Sequence, residues 1–147
     1  MTSPMHRALD EARAAAARGE VPVGAAVIGP DGAVLAVAGN QTEARHDASA
    51  HAEMLVLRAV ALARGKARLP DCDLFVTLEP CPMCAHAISL FRIRRLIFGA
   101  YDPKGGGVEH GARVFDASSC HHRPEIIGGV RETEASELLR EFFATLR

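Results

Sequence analysis

The organisation of this chain centres on the stretch Pro80-Cys81-Pro82-Met83-Cys84, which follows His51-Ala52-Glu53 by about thirty positions. A short apolar run at 74–78 precedes the stretch and predicts a buried strand. Pro82 predicts that a helix starts directly after Cys81, because proline is favoured at the first helical position. The two cysteines are three positions apart and therefore share one face of that helix start. The free N–H groups and the dipole there favour thiolates over thiols.

His51 and Glu53 are only two positions apart, so within a regular helix they would point to nearly opposite sides. A helix over 50–64, with Ser49 as its N-cap and Gly65 as its stop, places both residues at a helix start, where the incoming chain is not yet helical. The spacing therefore predicts that two helix starts meet at one site. That site would contain one imidazole, two thiols and one carboxylate.

This set of side chains predicts a zinc ion held by His51, Cys81 and Cys84. Three protein ligands leave the fourth position open to water, whose pKa falls towards about 7 on a catalytic zinc. The hydroxide formed there would be the nucleophile, and Glu53 would carry protons between it and the leaving group. The order H-x-E and then P-C-x-x-C is typical of zinc-dependent nucleobase deaminases, which predicts hydrolytic deamination of an amidine-like base.

Three alternatives explain the same cysteines. A structural zinc site needs a fourth protein ligand, and the candidates are Cys72, His46, His86 and Cys120. Structural sites usually combine two pairs of ligands of the C-x-x-C kind, whereas this chain has one such pair. A lone C-x-x-C is also found in redox pairs. A non-enzymatic, zinc-stabilised interaction module remains a third possibility, because an apolar C-terminal helix could dock a partner.

Size and composition are those of an ordinary globular protein, with 147 residues of which 48% are apolar and 24% charged. We predict a single deaminase domain over 1–147. The four cysteines, without an export signal, indicate metal binding and a cytoplasmic location. No apolar run approaches the length of a membrane span. The net charge of −1 argues against a broad nucleic-acid surface, and the densest basic cluster is Arg92, Arg94 and Arg95.

Hydrophobic periodicity and turn residues predict helices alternating with strands after an initial hairpin. The predicted helices are 4–18, 50–64, 82–91 and 133–146, and the predicted strands are 21–28, 34–38, 74–78, 95–99 and 126–130. This order predicts an α/β fold, a three-layer α-β-α sandwich around a mixed five-stranded sheet. We expect residues 105–107, which are all glycine, to form a flexible surface loop.

Several stretches beyond the zinc motifs resemble the bacterial tRNA-specific adenosine deaminases of the cytidine-deaminase-like superfamily. The resemblance covers almost the full length. It is carried by Glu20-Val21-Pro22-Val23-Gly24-Ala25, Gly39-Asn40, Arg45-His46-Asp47, Ala50-His51-Ala52-Glu53, Val76-Thr77-Leu78-Glu79-Pro80-Cys81, and Phe98-Gly99-Ala100 followed by Asp102.

The resemblance implies the cytidine-deaminase-like fold, one zinc per subunit and a homodimer. It also implies that the substrate is adenosine at the wobble position of a tRNA anticodon loop, which is converted to inosine. Asn40, Ala52 and Asp102 match the positions that contact substrate in that family, and the C-terminal helix matches an element that contacts tRNA.

Two features depart from the family pattern. The chain lacks a basic surplus, and Tyr101 stands where a polar or basic residue is expected, although a phenol can stack on a splayed base. A deaminase of a free base, nucleoside or nucleotide, of the guanine, cytosine or cytidine type, therefore remains the alternative.

Overall fold

The structure, a computed structural model, describes residues 3–146. The elements follow the predicted order of helices and strands. They are α1 (Pro4–Ala17), β1 (Gly24–Ile28), β2 (Val34–Gly39), α2 (Ala52–Arg64), β3 (Asp73–Leu78), α3 (Pro82–Leu90), β4 (Arg95–Ala100), a 3-10 turn (Val114–Asp116), β5 (Glu125–Ile127) and α4 (Glu132–Thr145).

The five strands form one mixed sheet in the order β2-β1-β3-β4-β5. Strand β1 pairs antiparallel with both β2 and β3. Strands β3, β4 and β5 run parallel to one another. A parallel pair needs a crossover connection, and α3 provides it between β3 and β4. The carboxyl end of β3 therefore leads directly into the start of α3, which carries the cysteine motif.

Side chains alternate between the two faces of the sheet and build two cores. On one face, Leu74 and Val76 of β3 belong to the core that includes residues of α2 and α3. On the other face, Ile97 of β4 belongs to the core that includes residues of α1 and α4, with Phe75 packed against it. Two helices therefore cover each face, and the predicted three-layer α-β-α sandwich with a mixed five-stranded sheet is confirmed.

Close packing between α1 and β1 fixes one strand beneath its helix. A Cβ atom at Gly24 would collide with the backbone of Ala8 and Ala12 in α1. Glycine is therefore required at the first position of β1, and the strand begins here rather than at the predicted residue 21. Pro22 cannot donate a hydrogen bond to a sheet, which agrees with the later start.

Other boundaries differ from the predicted ones for local reasons. The last strand is shorter than predicted, because the chain turns at Gly129, which has a φ of +81°. Residues 105–107 were predicted to be a surface loop, which is wrong for two of the three, since Gly106 and Gly107 are buried. Among residues 3–146, no helix has the length and apolar character needed to cross a membrane.

Candidate active site

The start of α2 carries His51 and Glu53. His51 is the N-cap, with an extended backbone (φ −72°, ψ 149°), and Glu53 is the second helical residue. The turn from extended to helical backbone lets both side chains reach one cavity despite their spacing of two. The prediction that His51 and Glu53 lie at a helix start is therefore confirmed.

The predicted N-cap residue is wrong. Ser49 lies two residues before His51, and its backbone N–H and its hydroxyl both donate to Asp47 Oδ1, at 2.9 and 2.7 Å. The acceptor that caps α2 comes instead from the end of β2, because the Ala52 N–H donates to Asn40 Oδ1 at 2.9 Å.

The start of α3 carries both cysteines. Cys81 is the N-cap, with φ −70° and ψ 170°, Pro82 is the first helical residue and Cys84 lies within the first turn. The His51 Nδ1 atom lies 3.6 Å from the Cys81 Sγ and 3.5 Å from the Cys84 Sγ. Tetrahedral zinc with its usual bond lengths separates a sulfur ligand from a nitrogen ligand by about 3.6 Å. The three residues therefore fit zinc in ligand type and in spacing.

The four-ligand structural site finds no support in the described part of the chain. Among residues 3–146, the group of His, Cys, Asp and Glu side chains close enough to hold a metal contains only His51, Cys81 and Cys84. The four candidates for a further ligand, which are Cys72, His46, His86 and Cys120, lie outside it. Three protein ligands with an open fourth position are the arrangement of catalytic rather than structural zinc.

The two thiols do not ionise together without a cation. The hydrogen bond from Cys84, helped by His51, lowers the pKa of Cys81 to about 4. The same contact with Cys81, together with burial, raises the pKa of Cys84. One sulfur is therefore a thiolate at neutral pH, while the other keeps its proton. A divalent cation would provide the charge that a second thiolate needs, which again fits zinc.

Glu53 is 4% exposed and stands beside this ligand set. Burial, reinforced by the nearby Cys81 thiolate, raises its pKa to about 7. A carboxyl group whose pKa lies near the working pH can both accept and release a proton efficiently.

A cavity of about 330 Å³ opens at the metal ligands. It is bounded by the segments before β1 and after β2, by the start of α2, by the end of β3 and the residues after it, and by the loop after β4. Its lining residues are Val21, Val23, Asn40, Thr42, His51, Glu53, Leu78, Glu79, Cys81, Asp102 and Gly105. The volume lies at the lower end of the range for cavities that bind small molecules.

The three sequence-predicted substrate residues occupy different positions at this cavity. Asn40 and Asp102 line it, whereas Ala52 is fully buried and its N–H is already donated to Asn40. The Asn40 Nδ2 group makes no hydrogen bond to a described residue. Within residues 3–146, every buried side-chain nitrogen or oxygen atom has a hydrogen-bond partner. The Asn40 Nδ2 atom has none, so it is not buried, and it is accessible from the cavity that Asn40 lines.

Two buried carboxylates near the cavity, those of Glu20 and Glu79, were not predicted from the sequence as site residues. Glu20 accepts hydrogen bonds from the Thr42 hydroxyl and from the backbone N–H groups of Glu43 and Ala44. Glu79 accepts hydrogen bonds from the loop after β4 and from His110. Burial alone would raise the pKa of Glu79, but these hydrogen bonds outweigh it and leave the pKa lowered. For Glu79 the available signal was an acidic residue directly following an apolar strand, whereas Glu20 precedes one.

Comparison with known proteins agrees with this geometry. The family model for the cytidine and deoxycytidylate deaminase zinc-binding region matches residues 2–100. A tRNA-specific adenosine deaminase of Agrobacterium fabrum is 53% identical over 97% of this chain and 93% of its own length. The tRNA-specific adenosine deaminase of Bacillus subtilis is 42% identical over 97% of this chain and 88% of its own length.

A solved structure of a tRNA:A34 deaminase, which was studied for A-to-I editing at the wobble position, superposes with a TM-score of 0.91. It is 53% identical in sequence, and the match covers 92% of this chain and 98% of that one. The ligand set is of the catalytic type, and the similarities agree with it. The chain is therefore a zinc-dependent hydrolytic deaminase and belongs to the cytidine and deoxycytidylate deaminase family, in the group of bacterial tRNA-specific adenosine deaminases.

Proposed function

We propose that this protein converts adenosine at the wobble position of a tRNA anticodon loop to inosine. The observation that carries the proposal is a single cavity lined by the metal ligands His51 and Cys81, by the buried Glu53 and by Asn40, whose amide is accessible. The similarity to deaminases that act on tRNA supports the choice of substrate.

The reaction replaces the exocyclic amine of adenine by oxygen from water. Zinc, when bound, supplies the Lewis acidity that makes a water molecule acidic near neutral pH. Glu53 accepts one proton as the water oxygen forms its bond to C6. It delivers this proton to N1, then takes the second proton from the same oxygen and delivers it to the amine, so that the C6=O bond forms, the C6–N6 bond breaks and ammonia leaves. Inosine retains one proton on N1, and Glu53 ends in its starting state.

Asn40 has two functions in this proposal. Its Oδ1 holds the start of α2, and its Nδ2 donates a hydrogen bond to the base or ribose. Asp102, which lines the same cavity, contacts the nucleotide from the loop after β4. Ala52 contributes through its backbone at the start of α2, beside the base.

A second cavity supports a polynucleotide rather than a free base. It has a volume of about 610 Å³ and shares Val21, Leu78, Asp102 and Gly105 with the first. Its remaining lining residues are Tyr101, Lys104, Leu139 and Phe143. The C-terminal helix α4 therefore borders an apolar extension of the site and does not close it. Such a surface suits the splayed bases that flank a target nucleotide in an RNA loop.

A free-base deaminase is the second candidate, and the net charge of −1 favours it. Lys104 is the one cationic residue among those that line the two cavities within residues 3–146. Binding that depends on phosphates weakens steeply with salt, so salt dependence separates the two candidates.

The deciding experiment incubates the zinc-loaded protein in parallel with two kinds of substrate. One is an anticodon stem-loop with adenosine at position 34, and the other is a panel of adenine, adenosine, guanine, cytosine and cytidine. We expect inosine in the stem-loop and a kcat/KM that falls as salt rises. Ammonia release from a free base, with no inosine in the stem-loop at high enzyme concentration, would reverse the assignment.

We also propose that residues 1–147 form one deaminase domain and that the protein acts as a homodimer in the cytoplasm. Exposed Leu62 in α2 and exposed Met83 and Leu90 in α3 support the dimer, because they place apolar surface on the layer that builds the site. Light scattering after size-exclusion chromatography would show twice the chain mass. A monomer at micromolar concentration would contradict the dimer.

A further inference from the structure

Glu79 occupies an unusual position for a carboxylate. It follows the last residue of β3 and stands two positions before Cys81. Its side chain has no exposed surface. Within residues 3–146, no lysine or arginine pairs with it, and its one ionisable partner is His110. An unpaired buried charge is unfavourable, so the hydrogen bonds that satisfy it must be strong and specific.

Five donors from one loop converge on this carboxylate. Oε1 accepts from the backbone N–H of Asp102 at 3.0 Å and contacts His110 Nδ1 at 2.8 Å. Oε2 accepts from three successive backbone N–H groups, those of Val108, Glu109 and His110, at 3.2, 2.9 and 3.0 Å. Both ends of the loop 102–110 are therefore fastened to a single side chain.

The loop lies directly against the start of α3. A Cβ atom at Gly106 would stand 2.5 Å from Glu79 Oε2, and one at Gly107 would stand 2.7 Å from the Cα of Pro82. The Gly107 N–H also donates to the Pro80 carbonyl at 2.8 Å. Glycine at both positions is what allows the loop to approach Glu79 and the residue after Cys81 so closely.

Asp102 depends on Glu79 for its place on the cavity wall. Its own Oδ1 accepts from the N–H groups of Lys104 and Gly105, which closes a local turn. The bond from the Asp102 N–H to Glu79 fastens the start of that turn, two residues after β4, to the residue that follows β3. The carboxylate therefore sets where Asp102 stands relative to the metal ligand Cys81.

We propose that Glu79 is a positioning residue for the deamination reaction. It couples the loop that bears Asp102 to the helix start that bears Cys81, so that the substrate-contacting wall and the metal ligand keep a fixed separation. The inference rests on the proposed role of Asp102 in substrate binding. Glu79 itself touches neither the reacting atoms nor the metal.

Glu79→Gln tests the proposal because it preserves shape and removes one acceptor. An amide nitrogen at the Oε2 position would face three N–H groups, whereas at the Oε1 position it faces only the N–H of Asp102 and the ring of His110. The second placement is therefore the less unfavourable: it breaks the bond to Asp102, while the His110 ring in its other tautomer accepts from the new amide. Glu109→Gln is the matched control, because it removes the same charge from an exposed side chain of the same loop.

The measurements are the kcat and KM for an anticodon stem-loop with adenosine at position 34, the zinc content and amide hydrogen exchange. For Glu79→Gln we expect KM to rise about tenfold, which is the change in an equilibrium constant expected when one hydrogen bond is lost. We expect kcat to stay within about threefold of wild type. We also expect one zinc per chain and faster exchange at Asp102. Glu109→Gln should match wild type throughout.

An unchanged KM, or unchanged exchange at Asp102, would overturn the proposal. A fall in kcat in proportion to lost zinc would also overturn it, because Glu79 would then serve only folding around the metal. If wild-type protein makes no inosine in the stem-loop, the proposed function fails instead. The same kinetic comparison is then made on whichever free base the wild-type protein deaminates, and the same KM criterion decides the role of Glu79.

Discussion

The side chain of Asn40 caps the helix that carries Glu53, because its Oδ1 accepts the Ala52 N–H at 2.9 Å. This bond joins the residue after β2 to the first residue of α2. The side chain of Asn40 therefore presents an acceptor that the protein uses and a donor that is open to the cavity, where we propose that it binds the substrate.

The two functions of Asn40 can be separated by two variants. Asn40→Asp retains an acceptor for the Ala52 N–H but loses the donor, whereas Asn40→Ala loses both. We expect both variants to raise KM for the stem-loop about tenfold. Only Asn40→Ala should lose about 1 kcal/mol of unfolding free energy, as for a lost helix cap. Steady-state kinetics and urea unfolding measure the two effects. A wild-type KM in Asn40→Asp would refute the role of the donor.

Removal of a metal ligand should affect the whole domain. His51→Ala leaves two thiols without the imidazole, so we expect zinc to be lost. A ligand present at a thousand times its dissociation constant stabilises the folded state by about 4 kcal/mol, and this contribution disappears with the metal. Elemental analysis and thermal unfolding with and without added zinc test this. If the variant and wild-type protein melt at the same temperature in zinc, His51 is not a ligand.

The metal-free protein should contain one reactive cysteine in the motif. Since the pKa of Cys81 is lowered to about 4, its thiolate is formed at every pH above about 5, and its alkylation rate should be flat between pH 5 and pH 8. Cys84 has a raised pKa and stays protonated over this range. Peptide mapping after iodoacetamide treatment in a Cys120→Ser background gives the rates. A rate that rises tenfold per pH unit would contradict a lowered pKa, and added zinc should protect the site.

Tyr101 should stack on a base that flanks the target nucleotide. Its ring is held edge-to-face by Phe98 at 5.1 Å and by His110 at 5.9 Å, and it lines the larger cavity beside α4. Stacking on an aromatic residue contributes about 1–3 kcal/mol per base, so Tyr101→Ala should raise KM for the stem-loop by about fivefold to a hundredfold. Tyr101→Phe is the control and should stay close to wild type. Equal KM values for the two variants would exclude stacking.

Local sequence patterns predicted the zinc chemistry well because that chemistry is local. The spacing of two between His51 and Glu53 required a helix start, and the structure has one there. The spacing of three between the cysteines required a shared helix face, and Cys81 and Cys84 approach the same imidazole. The element order and the mixed sheet also followed from hydrophobic periodicity.

Long-range hydrogen bonds could not be predicted in the same way. Ser49 was the nearest residue of a capping type, but it donates its hydrogen bonds to Asp47 instead. The side chain that caps α2 is that of Asn40, which is twelve residues from Ala52. The partners of Glu79 are 23 to 31 residues away, and nothing in their sequence marks them as donors to one carboxylate. A run of glycines predicts a mobile loop. That the loop must instead lie close to the buried Glu79 side chain becomes visible only in the structure.

The role of Glu53 is tested most directly by comparing wild-type protein with Glu53→Gln, both loaded with zinc, on a stem-loop with adenosine at position 34. We expect inosine at that position from wild-type protein. We expect a kcat lower by about 10²–10⁴-fold in the variant, with zinc content and melting temperature retained, because the amide cannot carry the proton. Equal inosine formation by the two proteins would contradict Glu53 as the proton carrier and, with it, the proposed mechanism.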